Sequence, residues 1–464
     1  MPPSLTWARR RQPMPETLVE NSDPWGERLP RTIGLLEAVA VLVGITIGSG
    51  IFRVPATVAG QLHFPGPMLL CWVLGGVIAL FGALTVAELA GALPRSGGIF
   101  EWLLESFGPL PAFLFGWTEL AVIRASSLGA TSTIFAEYLG HFIPLTAMQV
   151  RYVAAVLLLL IGAINYLGVK RAAAVTSVAT IAKYAAVMAL GLLAFTVSTS
   201  GASHFTPAWD GGVHLSLIAT ALIPVMWTYD GWADLAFMGG EVKNPQRTLP
   251  LALILGTACV MLVYLVVNVG FMYVLTLPQM AHSKLIAATV AEHIPLFGGI
   301  GAAVISGIVL LSTFSGLNAT MMTGPRIFFA MAERRLFFRV VARVSPRFET
   351  PSVAIWLATL LGVAYVLLND FAQLADKFVL GIWPFYALSV AGVFVLRRKR
   401  PDLRRPYRVW GYPVVPLLFL VASVAMVANA LWTDPANTGV TLLIILVGVP
   451  LFYLWKYIQR VREA

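Results

Sequence analysis

Long apolar runs, separated by short polar or Gly/Pro-containing stretches, dominate the chain. A bilayer core about 30 Å thick is crossed by a helix of roughly 20 apolar residues, so each such run predicts a transmembrane helix. The pattern predicts twelve spans, at residues 33–59, 67–93, 109–139, 152–167, 174–198, 215–240, 249–276, 298–332, 352–368, 371–396, 412–432 and 438–457. We therefore predict an all-α integral membrane protein.

The composition excludes several classes of soluble protein. Charged residues make up 12% of the 464 residues and hydrophobic residues 58%, whereas soluble domains carry roughly 25% charged residues. A soluble fold cannot bury so much apolar surface, which excludes a cytosolic enzyme and a disordered chain. Cys71 and Cys259 lie within apolar runs, so we predict packed thiols rather than a disulfide.

The placement of basic residues predicts the topology. Loops on the cytoplasmic side of a membrane protein are rich in Lys and Arg. With the N-terminus inside, 25 of the 32 Lys and Arg residues fall in predicted cytoplasmic segments, and only Arg151, Lys284 and Lys377 fall on the outer side. Both termini are therefore predicted to be cytoplasmic. The net charge of +10 then faces the cytoplasm and anionic lipid rather than nucleic acid.

Two spans carry signals of a helix break. Span one contains Gly-Ser-Gly-Ile-Phe at residues 48–52 followed by Pro55, and span six contains Trp-Thr-Tyr-Asp-Gly-Trp at residues 227–232 preceded by Pro224. A helix is interrupted inside hydrocarbon only where it lines a cavity. The breaks lie about 180 residues apart, which predicts two inverted halves of five spans with a binding site between them. The alternative is that Gly-Ser-Gly only permits tight helix packing.

The ends of broken helices predict the chemistry of that site. Past the first break, free N–H groups at Ser49, Gly50 and Ile51 begin a new half-helix, whose positive dipole end suits a carboxylate. Ser49 is also a candidate N-cap. Carbonyls left free at residues 227–230 suit an ammonium group. An α-amino acid carries both charges, so the pair of breaks predicts a zwitterion site.

These stretches resemble the amino acid–polyamine–organocation transporters, and within them the L-type amino acid transporter branch. The resemblance runs from about residue 31 to 455 and is carried by residues 47–52, 93–98, 117–124, 229–232, 241–245, 312–318 and 326–333. Residues 239–245 and 329–334 are most similar to bacterial serine/threonine exchangers.

The resemblance implies a LeuT-type fold of twelve transmembrane helices. It contains a five-plus-five inverted repeat with discontinuous helices one and six, followed by two extra helices. The implied organisation is a flexible cytoplasmic tail at 1–30, a first repeat at 31–198, a second repeat at 214–396, a basic cytoplasmic linker at 397–411 and the last two spans at 412–458.

The resemblance also implies a set of site residues. The carboxylate would meet the N–H groups of Ser49 and Gly50, and the amino group would meet the carbonyls of Thr46, Trp227 and Asp230. Trp227 would close over the substrate as a gate on the extracellular side. The implied substrate-binding set is Thr46, Ser49, Gly50, Ile51, Trp227, Thr228 and Asp230.

Lys183 lies in the middle of span five, where an ammonium group is costly unless it is paired or solvated. The resemblance implies that its amine takes the position of sodium in sodium-coupled relatives, beside Gly48 and the hydroxyls of Ser315 or Thr320. Two alternatives are a lysine that titrates and couples protons to transport and a lysine paired elsewhere with no transport role.

Two further charged residues have alternative interpretations. Arg53 stands where the family commonly has a small or apolar residue. It either extends to the outer water layer or attracts anionic substrate in an outer vestibule. Asp230 either caps the second half-helix or binds substrate through its carboxylate.

The function that the sequence predicts is sodium-independent exchange of small neutral L-amino acids by alternating access. Alternatives are a proton-coupled symporter, a transporter of charged amino acids or polyamines, and a channel or non-transporting receptor. The six His show no metal-ligand spacing and no Walker A motif occurs, so neither an enzyme nor a cofactor is expected.

The same resemblance sets the expected partners and location. Residues 140–151 lack the cysteine that attaches animal members to a glycoprotein subunit. We therefore expect a monomer without a disulfide-linked heavy subunit. The expected location is the bacterial inner membrane.

Overall fold

Helices form all the regular secondary structure of the computed structural model, which describes residues 31–463 except for 96, 168–171, 198–200, 210–211, 213, 334–335, 344, 346 and 349. The predicted tail at 1–30 lies outside the described residues. Over the described ranges there is no strand, and one isolated bridge joins Ile33 to Val242.

The α-helices of the described chain are numbered in order. They are α1 Leu35–Thr46, α2 Val54–Leu62, α3 Pro65–Ala92, α4 Ile99–Phe107, α5 Pro109–Thr118, α6 Ala125–Leu139, α7 Ala147–Leu167, α8 Ala172–Leu193, α9 Leu215–Tyr229, α10 Pro245–Val274, α11 Leu277–His282, α12 Ile286–His293, α13 Gly301–Glu333, α14 Ser352–Leu368, α15 Phe371–Lys399, α16 Val414–Thr433 and α17 Pro435–Glu463.

Seven of these helices are long and apolar enough to cross a membrane, namely α3, α7, α10, α13, α15, α16 and α17. Three shorter apolar helices cover Leu35–Thr46, Lys183–Thr196 and Ser352–Leu368. The chain is therefore a multi-pass membrane protein. Predicted spans one, three and six fall short of this length because each is divided. Span one is divided into α1 and α2, and span three into α5 and α6 around a π-helical turn. Span six is divided into α9 and the 3-10 helix that follows it.

The first predicted interruption is present in the structure. Helix α1 ends at Thr46, a 3-10 turn covers Gly50–Phe52, and α2 begins at Val54. Pro55 lies in the first turn of α2, where a proline is tolerated because that N–H has no partner within the helix. The sequence signal therefore marks the start of a new half-helix.

The second predicted interruption is also present. Helix α9 ends at Tyr229, Asp230 is extended, and a 3-10 helix follows over Asp234–Glu241. Gly231 has a φ of +105°, which a residue with a Cβ rarely adopts. This glycine lets the chain reverse within a few residues.

The surrounding helices bring the two interruptions together. Helix α1 packs on α10, α2 packs beside α9, and α10 also lies along α3. On the other side, α13 packs against α6 and α8, and α15 contacts both α6 and α9. Helices α16 and α17 pack against α15 and expose apolar side chains such as Val421 and Leu443, as expected of a lipid-facing surface.

A buried carboxylate fixes the end of α15 to α3. Glu88 is 2% exposed and accepts hydrogen bonds from Arg397 at 2.9 and 2.5 Å and from the Val409 N–H at 2.9 Å. Arg405 donates to the Leu396 carbonyl at 2.9 Å and so satisfies a carbonyl at the end of α15. The basic segment after α15 is thus held against the helices.

Candidate functional site

The two helix interruptions are in direct contact. A Cβ atom at Gly50 would lie 2.9 Å from Thr228 Oγ1 and 3.1 Å from Thr228 Cα, and one at Gly231 would lie 3.1 Å from Thr46 Oγ1. A side chain at Gly50 would clash with Thr228, and one at Gly231 would fit only if its neighbours shifted. The structure therefore brings together Thr46 and Gly50 of the first break with Thr228 of the second, as predicted.

The first interruption presents unpaired donors. Within the described structure, the N–H groups of Ser49, Gly50 and Ile51 have no hydrogen-bond partner. The turn is closed by the two N–H groups that follow them. Phe52 donates to the Ser49 carbonyl at 3.2 Å, and Arg53 donates to the Gly50 carbonyl at 3.0 Å. The Ser49 side chain makes no capping bond, so the cap predicted there is wrong. Three clustered N–H groups are a site for an anion.

The carbonyls that were predicted to bind an ammonium group differ in availability. The Thr46 carbonyl already accepts bonds from the Gly48 N–H at 2.8 Å and from the Tyr264 hydroxyl at 2.8 Å. The Trp227 carbonyl accepts only the long bond from the Asp230 N–H at 3.4 Å. The Asp230 carbonyl accepts no backbone hydrogen bond in the described structure, so Trp227 and Asp230 retain more acceptor capacity than Thr46.

Tyr264 is a site residue that the sequence analysis missed. It is completely buried on α10, and its hydroxyl lies 2.8 Å from the Thr46 carbonyl and 3.0 Å from the Thr228 carbonyl. One side chain thus joins the ends of both half-helices. The available signal was a tyrosine in the middle of an apolar span, since a buried hydroxyl requires a partner.

The Asp230 carboxylate is held by α15. The Tyr386 hydroxyl donates to Asp230 Oδ1 at 2.7 Å, and the helix that follows begins only at Asp234. The N-cap interpretation of Asp230 is therefore wrong. Asp234 and Glu119 lie within electrostatic range of Asp230, and Glu119 forms an ion pair with Arg124 across the π-helical turn.

Four side chains form a closed layer beside the second interruption, which we call the Trp227 layer: Arg53, Glu137, Trp227 and Phe371. The Trp227 and Phe371 rings meet edge to face with centroids 5.4 Å apart, and the Arg53 guanidinium lies 5.1 Å from the centre of the Phe371 ring. Arg53 Nε lies 2.9 Å from Glu137 Oε2. Arg53 is therefore paired, rather than extended to the outer water or free to attract an anion.

Lys183 is buried and reaches the first broken helix. Its Nζ donates to the Gly44 carbonyl at 3.1 Å, one turn before Gly48. In the described structure Ser315 accepts no hydrogen bond from it, although Ser315 and Thr320 lie on α13, which packs against α8. The structure thus places the amine on α1.

Comparison with known proteins identifies the family. Residues 33–452 match the family model described as Amino acid permease, and this range includes every residue of the two interruptions. The chain belongs to the amino acid permease family. The predicted family is therefore confirmed, and the protein is a membrane transporter rather than an enzyme.

Curated relatives of this permease cover nearly its whole length. It is 30% identical over 433 residues to the Serine/threonine exchanger SteT of Bacillus subtilis (strain 168), covering 92% of this chain and 97% of that protein. It is 30% identical over 453 residues to the b(0,+)-type amino acid transporter 1 of Homo sapiens, covering 94% and 90%. It is 31% identical over 444 residues to the Cystine/glutamate transporter of Homo sapiens, covering 94% and 88%. These relatives support amino acid transport by the permease.

Proposed function

We propose that this permease is a sodium-independent exchanger of small neutral L-amino acids that works by alternating access. The proposed architecture has twelve spans in a LeuT-type five-plus-five repeat with two extra helices, and both termini face the cytoplasm of a bacterial cell. Exchange is the activity in the name of the Bacillus subtilis relative, and the basic cytoplasmic loops support the orientation.

The pairing of unlike helix ends carries the proposal. The unpaired N–H groups of Ser49, Gly50 and Ile51 are assigned to the substrate carboxylate, since an anion is stabilised at the start of a helix. The carbonyls of Trp227 and Asp230 are assigned to the ammonium group. The N–H groups and the carbonyls both belong to the protein backbone. They would recognise the carboxylate and the ammonium group of the substrate, which all α-amino acids share.

The proposed preference for small side chains follows from the walls of the site. Thr228 lies against Gly50 on one side, and Trp227 together with Phe371 closes another. The Asp230 carboxylate is bonded to Tyr386 and the Arg53 guanidinium to Glu137. Neither charge is free to select a charged substrate, which supports a neutral one.

Lys183 supports independence from sodium. Its ammonium group donates to the Gly44 carbonyl at 3.1 Å and so supplies a fixed positive charge beside the first interruption. A protein cation that joins α8 to α1 makes a bound metal ion unnecessary for holding these helices. We propose that the chain from Gly44 to Gly48, at the end of α1, forms the rest of this cation site.

The cysteines support transport without a disulfide-linked partner. Cys71 is buried and Cys259 is a free thiol on the long apolar helix α10, and neither lies in the loop before α7. We propose that the permease acts as a monomer in the bilayer.

Uptake of labelled L-serine into liposomes containing the purified protein tests the proposal. We expect uptake to require unlabelled serine inside the liposomes and to be unchanged when sodium is replaced by choline. Equal uptake into empty and preloaded liposomes would exclude exchange. A requirement for sodium would exclude the role of Lys183 as a substitute cation.

One observation favours proton-coupled symport as a second candidate. Asp230, Asp234 and Glu119 interact electrostatically within the protein, and Arg124 is the basic residue beside them. Three carboxylates near one guanidinium repel each other at low dielectric unless a proton is shared among them. Uptake into empty liposomes that is driven by an inward proton gradient would favour this candidate over exchange.

A further inference from the structure

A cavity adjoins the Trp227 layer and shares two residues with it. Its volume is about 340 Å³, within the range of roughly 300–1,000 Å³ that is typical of small-molecule sites. Glu137 and Phe371 belong both to the cavity wall and to the Trp227 layer. The wall is formed by Thr133, Glu137, Gly140, Leu145, Ala147, Val150, Arg151, Lys284, Leu285, Asn369, Asp370 and Phe371.

Two of the wall residues present donors to this space. Lys284 is exposed and has no hydrogen-bond or ion-pair partner among the described residues. Arg151 uses one guanidinium nitrogen to donate to the Leu367 carbonyl at 3.2 Å, and its other nitrogens have no partner in the part of the chain that the structure describes. Charged donors of this kind bind carboxylates strongly.

The opposite charge is available in the same cavity. Glu137 accepts a hydrogen bond from Arg53 through Oε2, while its Oε1 has no partner in the described structure. Asp370 accepts the Gln373 N–H as the cap of α15. The cavity therefore offers donors for a carboxylate at one place and an acceptor for an ammonium group at another.

The distribution of basic residues makes this cavity unusual. In the proposed topology only Arg151, Lys284 and Lys377 lie on the outer side, and two of these three line one cavity. Lys377 is not part of its wall and donates to Asn437 Oδ1 at 3.2 Å. Because basic residues are scarce on the outer side, the presence of Arg151 and Lys284 in one cavity wall indicates that they bind an anionic group there.

We propose that this outer cavity binds a free amino acid before the Trp227 layer opens, with the carboxylate on Lys284 and Arg151 and the ammonium group toward Glu137. This inference rests on the proposed function. An ammonium group near Glu137 competes with Arg53 for the same carboxylate. Occupation of the cavity therefore weakens an ion pair that keeps the layer closed.

The test measures L-serine uptake by the full-length permease in liposomes. We expect Lys284→Gln to raise KM about tenfold with little change in kcat, since a charged hydrogen bond contributes roughly 1.5–3 kcal/mol. Lys284→Arg should restore the original KM. Lys377→Gln is the matched control, because it removes an outer positive charge that does not line the cavity, and it should leave KM unchanged.

Labelling gives a second readout that does not depend on transport. In a Cys259→Ser background, Lys284→Cys should react with a positively charged methanethiosulfonate, and L-serine should slow that reaction. The protection should persist when Gly50→Val blocks the central site, and Lys377→Cys should show none.

The outcomes separate the two proposals. If the original protein transports serine while Lys284→Gln keeps its KM and Lys284→Cys is not protected, the outer site is wrong and the proposed function stands. If the original protein transports no amino acid, the proposed function fails and the outer site fails with it.

Discussion

The two helix interruptions have the same position in their spans but opposite hydrogen-bonding states. At the first, three successive N–H groups from Ser49 to Ile51 have no partner in the described structure. At the second, side chains occupy much of the available capacity: Tyr264 bonds the Thr228 carbonyl at 3.0 Å, and Tyr386 bonds Asp230 at 2.7 Å. The first interruption thus has free hydrogen-bond donors, whereas the second is held in place by tyrosine hydroxyls.

The first interruption is instead held from outside its turn. Lys183 bonds the Gly44 carbonyl before the break, and the Tyr138 hydroxyl donates to the Phe52 carbonyl after it at 2.8 Å. These contacts fix both flanking segments, while the N–H groups of Ser49, Gly50 and Ile51 within the turn have no partner in the described structure. Because unpaired buried N–H groups are costly, this difference supports the proposal that the substrate carboxylate binds at the first interruption.

Replacing Gly50 with valine should reduce transport the most. The new side chain would meet the Thr228 backbone, whose Cα lies 3.1 Å from the Cβ position, and would separate the two interruptions. A displacement of about 1 Å at a reacting or binding site costs on the order of a hundredfold. We expect serine uptake to fall by about that factor.

The matched control is Gly439→Val on α17, where a Cβ would meet no atom within 4 Å. It should leave uptake unchanged, measured at equal amounts of purified protein. Near-normal uptake by Gly50→Val would mean that the interruptions do not form the site.

Lys183→Ala should have the next largest effect. It removes the charged hydrogen bond to the Gly44 carbonyl that holds α1 to α8. Since such bonds contribute roughly 1.5–3 kcal/mol, we expect transport to fall about 30-fold. Membrane expression should be retained, as measured by fluorescence-detected chromatography. Unchanged uptake kinetics would contradict the role of Lys183.

Tyr264→Phe should remove the hydrogen bonds that join the two half-helices without changing the packing of the ring. The Thr46 and Thr228 carbonyls would each lose a hydrogen bond. We expect kcat/KM to fall about fivefold, in line with roughly 1 kcal/mol for a neutral hydrogen bond. Thermal unfolding in detergent should shift to lower temperature. An unchanged unfolding temperature would show that the hydroxyl does not brace the helix ends.

Arg53→Val should have the smallest effect. The ion pair with Glu137 is partly exposed, with side chains 15% and 11% accessible, so we expect a change in serine KM of only about threefold. Glu137→Gln should reproduce it, and the double variant should add nothing further. The ratio of aspartate to serine uptake should stay constant. A change in that ratio would instead indicate that Arg53 selects substrate charge.

Much of the site followed from local sequence signals. Gly48, Gly50, Pro55 and Gly231 mark backbone that cannot continue as a regular helix, and the structure interrupts both helices there. The type of each end followed as well, because a half-helix must begin with donors and end with acceptors. The failed predictions concern side chains: Ser49 makes no cap and Asp230 bonds Tyr386.

Two conclusions can be drawn from the sequence alone: this chain crosses a membrane many times, and its helices break at two places. Both conclusions depend on properties of neighbouring residues, namely apolar run length and backbone freedom. Only the tertiary structure decided which polar groups have partners. Tyr264 lies 218 residues from Thr46 and Glu137 lies 84 residues from Arg53, so folding alone determines whether these groups meet, and no local pattern records it.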